Sequence, residues 1–181
     1  MPLDKKALRK DMINKRLSLD EETFLLKSKT IKDQLEALPL FKNAKRIALY
    51  VSYRHEVDTR GLLNDHFKDK EIYVPRVEGE NLVFVRIRSM DDLQPGCFGV
   101  DEPISQEILE ASQFDLIIVP LLAFDALHNR IGYGKGYYDR VLSHTSASSL
   151  GIAFDLQKIE DTCPHPLDHP LDQILTETGL Q

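Results

Sequence analysis

The segment RIGYGKGYYDR at residues 130–140 sets three alternating glycines, Gly132, Gly134 and Gly136, among Arg130, Ile131, Tyr133, Lys135, Tyr137, Tyr138 and Asp139. Glycine in regular structure costs roughly 0.5–1 kcal/mol relative to alanine, so a compensating interaction is expected. Glycines let a backbone approach an anion closely. Successive amides, and the start of a helix near Lys135, donate to phosphate oxygens. Arg130 and Lys135 add cations, and each charge-assisted bond contributes about 1.5–3 kcal/mol. The pattern is neither GxGxxG nor GxxxxGK[ST], since Gly136 follows Lys135, so neither a dinucleotide fingerprint nor a P-loop is expected. The plainer alternative is a tight strand-to-helix turn with its tyrosines packed on a sheet.

Two carboxylates accompany the segment. Asp139 suits the first turn of a helix or a pair with Arg140. It also suits a magnesium ion carried on a nucleotide, because magnesium takes oxygen ligands and commonly one or two carboxylates. Asp172, in PLDQILTE, is a possible second carboxylate or an exposed cap.

The elements that must place these residues follow from periodicity. Leu8, Met12, Ile13 and Leu17 predict an amphipathic helix over residues 4–17, and a second helix over 20–38 is capped by Ser18 and ended by Pro39. RIALYVSY, EIYVPRV, NLVFVRIR, DLIIVPLLAF and SLGIAF read as strands, with a hairpin around residues 78–81 and a further strand at QILTE. Helices are expected at residues 59–67, 105–112 and 135–144. Alternating strands and helices predict an α/β fold: one domain over residues 1–181, with a mixed, mostly parallel sheet flanked by helices and an N-terminal helical arm. The glycine segment then falls beyond the carboxyl end of a strand, where such sheets bind ligands.

The chain has 181 residues and a formal net charge of -6, which disfavours nucleic-acid binding through a global positive field. Cys97 and Cys163 form no disulfide framework or metal motif and read as buried or idle thiols. HPLDHPLD at residues 165–172 reads as a constrained loop rather than a metal tract. No apolar run approaches the roughly 20 residues that span a bilayer, so a cytoplasmic protein with no membrane partner is expected.

PLLAFDALHNRIGYGKGYYDR resembles the signature of the 5-formyltetrahydrofolate cyclo-ligase (methenyltetrahydrofolate synthetase) family, and KKALRK, YVSYRHEVDT, GIAFDLQ and PLDQILTE follow the family's order. The resemblance implies a NagB/RpiA/CoA-transferase type of α/β fold and an enzyme, a monomer or weak homodimer. Its reaction converts 5-formyltetrahydrofolate to 5,10-methenyltetrahydrofolate with ATP as co-substrate and Mg2+ as cofactor. ATP contacts carry over to Lys5, Lys6, Ala7, Leu8, Arg9 and residues 130–138, magnesium ligands to Asp139 and Asp172, and folate contacts to Val51, Glu56 and Tyr138. Lys135, Arg130 and Tyr138 are the implied catalytic residues. Lys5 and Arg9, four apart, share one helical face, which is otherwise a solvated basic face. Glu56 is otherwise an ordinary surface carboxylate. His128 stands where the family has glycine, and Leu167 where it has histidine. A non-catalytic nucleotide-sensing or RNA-associated module on the same scaffold is the alternative function.

Overall fold

The computed structural model describes residues 3–181, the side chain of Cys97 apart. Helix α1 (Lys5–Leu17) is capped by Asp4, and α2 (Glu21–Ala37) by Asp20, whose carboxylate accepts from the Thr23 amide at 2.8 Å. Ser18 does not cap α2 as expected. It closes α1 instead, its amide donating to the Asn14 carbonyl and its hydroxyl to that of Lys15, because Asp20 sits directly before the first turn and its charge also suits the dipole there. Pro39 ends α2 and opens α3 (Pro39–Asn43), a position where its missing N–H costs nothing.

The chain then runs through β1 (Arg46–Ala48), α4 (Arg60–His66) and the hairpin β2 (Glu71–Glu78) to β3 (Asn81–Ile87), turned at Glu78 and Asn81 as expected. A small hairpin, β4 (Leu93–Pro95) with β5 (Asp101–Pro103), precedes β6 (Ile108–Leu109) and β7 (Leu116–Val119). A second small hairpin pairs β8 (Ala123–Phe124) with β9 (Arg130–Ile131). The chain closes with α5 (Tyr137–Leu142), β10 (Ser148–Ile152), β11 (Gln173–Thr176) and β12 (Gly179–Leu180).

The eight-stranded sheet has the order β12-β11-β10-β7-β1-β2-β3-β6. Strands β11 through β2 run parallel, and antiparallel strands finish both edges. Alternation along β7 explains the two covered faces: Leu116 and Ile118 join the core under α2 and α4, while Ile117 and Val119 join the core under α5.

The helix expected over residues 105–112 is instead β6 followed by a 3-10 turn at Ala111–Gln113. Ile104 and Ile108 imitate helical spacing, but β3 has an open edge, and Ile108 and Leu109 pair with Val85 and Phe84 to close it. The apolar run at residues 115–124 also divides. Pro120, which has no N–H to donate, separates β7 from β8.

Helix α1 packs Met12 against Leu122, Ala123 and Ile131 of the second hairpin. Its buried face differs from the expected stripe: Leu17 is 47% exposed while Arg16 is 1% exposed. Cys163 is free and exposed, and the expectation for the Cys97 thiol lies outside the described residues. No described helix is long and apolar enough to cross a membrane.

Candidate active site

Strands β1 and β7 are parallel neighbours, with Ile47 opposite Leu116, yet the chain leaves β1 toward β2 and leaves β7 toward β10. Loops that depart in opposite directions open a crevice at the carboxyl edge, the usual ligand position in such sheets. The loop after β7 carries the glycine segment, and the loop after β1 carries Glu56.

Asp125 shapes the turn between β8 and β9. Its carboxylate accepts from the Leu127 and Asn129 amides and from the Thr162 hydroxyl, the last at 2.7 Å. Burial opposes its ionisation, but these donors prevail and hold its carboxyl below the ordinary value. His128 takes up the positive φ of this turn, 63°, as the sequence requires of it or of Asn129. Its Nδ1 lies 3.1 Å from the Asp172 carbonyl and its Nε2 3.0 Å from that of Gln181. Leu167 is exposed on a turn closed by the His165 amide donating to Asp168.

After β9 the glycine loop lines a cavity of about 260 Å³ together with Lys5, Arg9, Asp139 and Asp168. Helix α1 forms its roof. Arg9 Nε donates to the Gly132 carbonyl at 2.9 Å, and Lys5 lies 3.6 Å from Asp168. Gly134 has φ +94°, which favours glycine, and a Cβ there would come within 3.1 Å of Arg9 Cζ, so a larger residue would strain the backbone and push the guanidinium aside. Gly136, in the left-handed region, turns the chain into α5, which starts at Tyr137 rather than at Lys135. Lys135 is exposed and lines the cavity. Lys6 and Ala7 lie outside the lining, and their amides are taken by Asp4. Leu8 is half-buried against the Met12 cluster.

Arg130 donates to Asp139 Oδ1 at 2.9 Å and to the His169 carbonyl at 2.5 Å, and the His169 amide returns a bond to the same Asp139 oxygen. Asp139 therefore pairs with Arg130, not with Arg140. Asp172 does not line the cavity; its Oδ2 accepts from the Ser149 amide at 2.8 Å and hydroxyl at 3.1 Å. Among the described residues no cluster of three or more His, Cys, Asp or Glu side chains could hold a metal ion. Asp139 lines the cavity with Oδ1 engaged by Arg130, whereas Asp172 is turned to Ser149 outside it, so the two carboxylates are not brought together in this structure.

Glu56 is not a surface carboxylate. It is 7% exposed, held by the Tyr53 amide donating to Oε2 at 2.8 Å and the Tyr133 hydroxyl donating to Oε1 at 2.7 Å. Burial pushes its carboxyl up, against the opposing pull of Tyr133 and Arg16. Tyr138 is half-buried beside Phe84, and burial, then the Glu56 charge, raise its hydroxyl far above the ordinary value. Glu56 also borders a second cavity of about 270 Å³ with Phe24, Tyr53, His55 and Arg60. Val51 is buried in the core below.

Arg16 is the residue that sequence reasoning missed. Its Nη2 donates to the Tyr133 hydroxyl at 3.0 Å. A signal existed: Lys5, Arg9, Met12 and Arg16 share one helical face, so a residue four beyond buried Met12 is turned inward.

Fold and site together define the class, an α/β protein whose switch-point crevice sets a cation-lined glycine loop beside a buried carboxylate. The chain belongs to the 5-formyltetrahydrofolate cyclo-ligase family, whose model matches residues 3–177. The Haemophilus influenzae 5-formyltetrahydrofolate cyclo-ligase is 33% identical over 143 residues, covering 74% of this chain and 76% of that one. The Mycoplasma genitalium enzyme of the same name is 32% identical, covering 96% and 98%. The solved structure of Aquifex aeolicus 5,10-methenyltetrahydrofolate synthetase superposes with a TM-score of 0.90 at 36% identity, covering 99% of this chain and 92% of that one. The chain is accordingly a ligase, and the non-catalytic alternative falls away.

Proposed function

We propose that this enzyme uses ATP to close 5-formyltetrahydrofolate into 5,10-methenyltetrahydrofolate by phosphorylating the formyl oxygen. The cavity carries the reading: Lys5, Arg9, Arg130 and Lys135 converge with the glycine loop on one side of Glu56. A formyl oxygen is a poor leaving group until it bears phosphate. In the proposed sequence this oxygen attacks the γ-phosphorus and ADP departs. N10 then attacks the formyl carbon, and the C–O bond breaks to release phosphate carrying the former formyl oxygen. The proton of N10 passes to phosphate or solvent.

Phosphoryl transfer requires chiefly positioning and electrostatic stabilisation. Lys5 and Arg9 hold the polyphosphate from α1, while Lys135, Arg130 and the loop amides offset charge on the transferred group. Asp139 orients Arg130. Glu56, acceptor-only when ionised, receives the pterin N–H groups, and Tyr138 supplies a flat wall for the folate. Magnesium enters with the nucleotide, and no protein step depends on it here.

Mixing the protein with magnesium-ATP and 5-formyltetrahydrofolate should release ADP in step with the absorbance of the methenyl product. ADP release without folate, or folded protein that forms no product, would refute the assignment.

A further inference from the structure

Arg16 lies on the inward face of α1, in line with buried Met12. Its guanidinium is fully buried, and its Nε has no partner among the described residues. Replacing a buried ion pair with apolar residues is often neutral or stabilising, so stability alone does not account for a charge here. Its contacts give a direction. Nη2 donates to the Tyr133 hydroxyl, whose own hydrogen goes to Glu56 Oε1. The Arg16 carbonyl accepts from His55 Nδ1 at 3.2 Å, so its backbone is tied to the turn that carries Glu56 while its side chain reaches Glu56 through Tyr133.

We propose that Arg16 is a positioning residue for the cyclo-ligase reaction: acting through the Tyr133 hydroxyl, it holds the Glu56 carboxylate in the orientation and anionic form that receive the substrate's N–H groups. The inference rests on the reading of Glu56 as the folate contact. A carboxyl enclosed by apolar surface favours its neutral form, and a neutral carboxyl turns one oxygen into a donor that opposes the pterin donors. Arg16 provides the compensating cation. The groups facing Glu56 are Arg16 from α1, Tyr133 and Tyr138 from the glycine segment, and Tyr50 and Tyr53 from its own loop. His55, in the same turn, stacks on Phe24 at 4.4 Å and lies 4.0 Å from Glu21 of α2.

The test is the pH dependence of 5-formyltetrahydrofolate affinity without ATP, measured by calorimetry for the full chain and for Arg16→Met, Arg16→Lys, Tyr133→Phe and the Arg16→Met/Tyr133→Phe double variant. Affinity of the parent falls as Glu56 takes up a proton. In Arg16→Met and Tyr133→Phe the midpoint of that fall moves up by about one pH unit, the size of effect expected when a neighbouring opposite charge is lost. Arg16→Lys keeps the charge and restores part of the shift. The double variant moves no further than the larger single, because the two act in series. Affinity reduced equally at every pH, or shifts that add, would overturn the inference. Glu56→Gln separates the two levels: unchanged affinity in that variant refutes Glu56 as the folate contact. Lost affinity there, with unshifted profiles in Tyr133→Phe and Arg16→Lys, refutes the role of Arg16 alone.

Discussion

The Tyr133 hydroxyl donates to Glu56 Oε1 at 2.7 Å across 77 residues of chain, joining the glycine loop to the turn after β1. One bond thus ties the proposed phosphate cradle to the proposed folate acceptor. Glu56→Gln keeps the shape but replaces an acceptor-only group with one that also donates. Its affinity for 5-formyltetrahydrofolate should fall about 10- to 100-fold, corresponding to the roughly 1.5–3 kcal/mol of a bond to a charged group, while ATP affinity stays unchanged. Calorimetry with each ligand decides this, and equal losses for both would mark Glu56 as structural.

The same carboxyl should leave a signature in stability. Burial raises its pKa above the ordinary 4.5 in the folded state. The folded protein therefore holds this proton more tightly than the unfolded chain does. That contribution is complete below the unfolded pKa and is lost as pH rises through the folded one. Glu56→Gln lacks the loss, so its melting temperature should improve relative to the parent as pH is raised from mildly acidic to neutral. A difference independent of pH would show that Glu56 is solvated.

Lys135 is exposed and lines the cavity, so its removal should affect turnover rather than folding. Lys135→Ala is expected to lose about 2 kcal/mol of transition-state stabilisation, about thirtyfold in kcat/KM, with an unchanged melting temperature. Near-parental turnover would remove Lys135 from the site.

Gly134 is held by its positive φ and by Arg9 pressing on it. Gly134→Ala should cost about 1–3 kcal/mol in stability and reduce ATP affinity, because either the loop or Arg9 has to shift. Thermal melts with and without ATP read both effects, and a variant with parental values would mean that the loop is not constrained by Arg9.

Asp139 and Asp172 should part company. Asp139→Asn loosens Arg130, so kcat/KM should drop at every magnesium concentration; rescue by excess magnesium would instead restore Asp139 as a metal ligand. Asp172→Ala strands the buried Ser149 amide, so it should lower stability by about 1–3 kcal/mol and leave kcat/KM at saturating magnesium unchanged.

Local pattern was enough for much of the architecture. Alternating apolar runs and amphipathic segments predicted the parallel α/β order, and the hairpin at Glu78 and Asn81 is a short-range feature. The glycine segment was legible as a loop following a strand, and the four-residue spacing of Lys5 and Arg9 placed both on one face, where they line the same cavity. Where the reading failed, a distant partner had decided. Ile108 and Leu109 form a strand because β3 offers an open edge, which outweighs their helix-like spacing. Asp139 takes Arg130 rather than the neighbouring Arg140 as its partner, and Asp172 takes Ser149, 23 residues away; no local pattern predicts either choice. The burial of Glu56 and the inward turn of Arg16 come from α1 closing over the sheet, with Arg16 and Tyr133 separated by 117 residues. Charge and periodicity act within a few residues and are legible in sequence. The solvation of a carboxylate and the choice of its partners depend on which segments exclude water around it, and only the packed chain determines that.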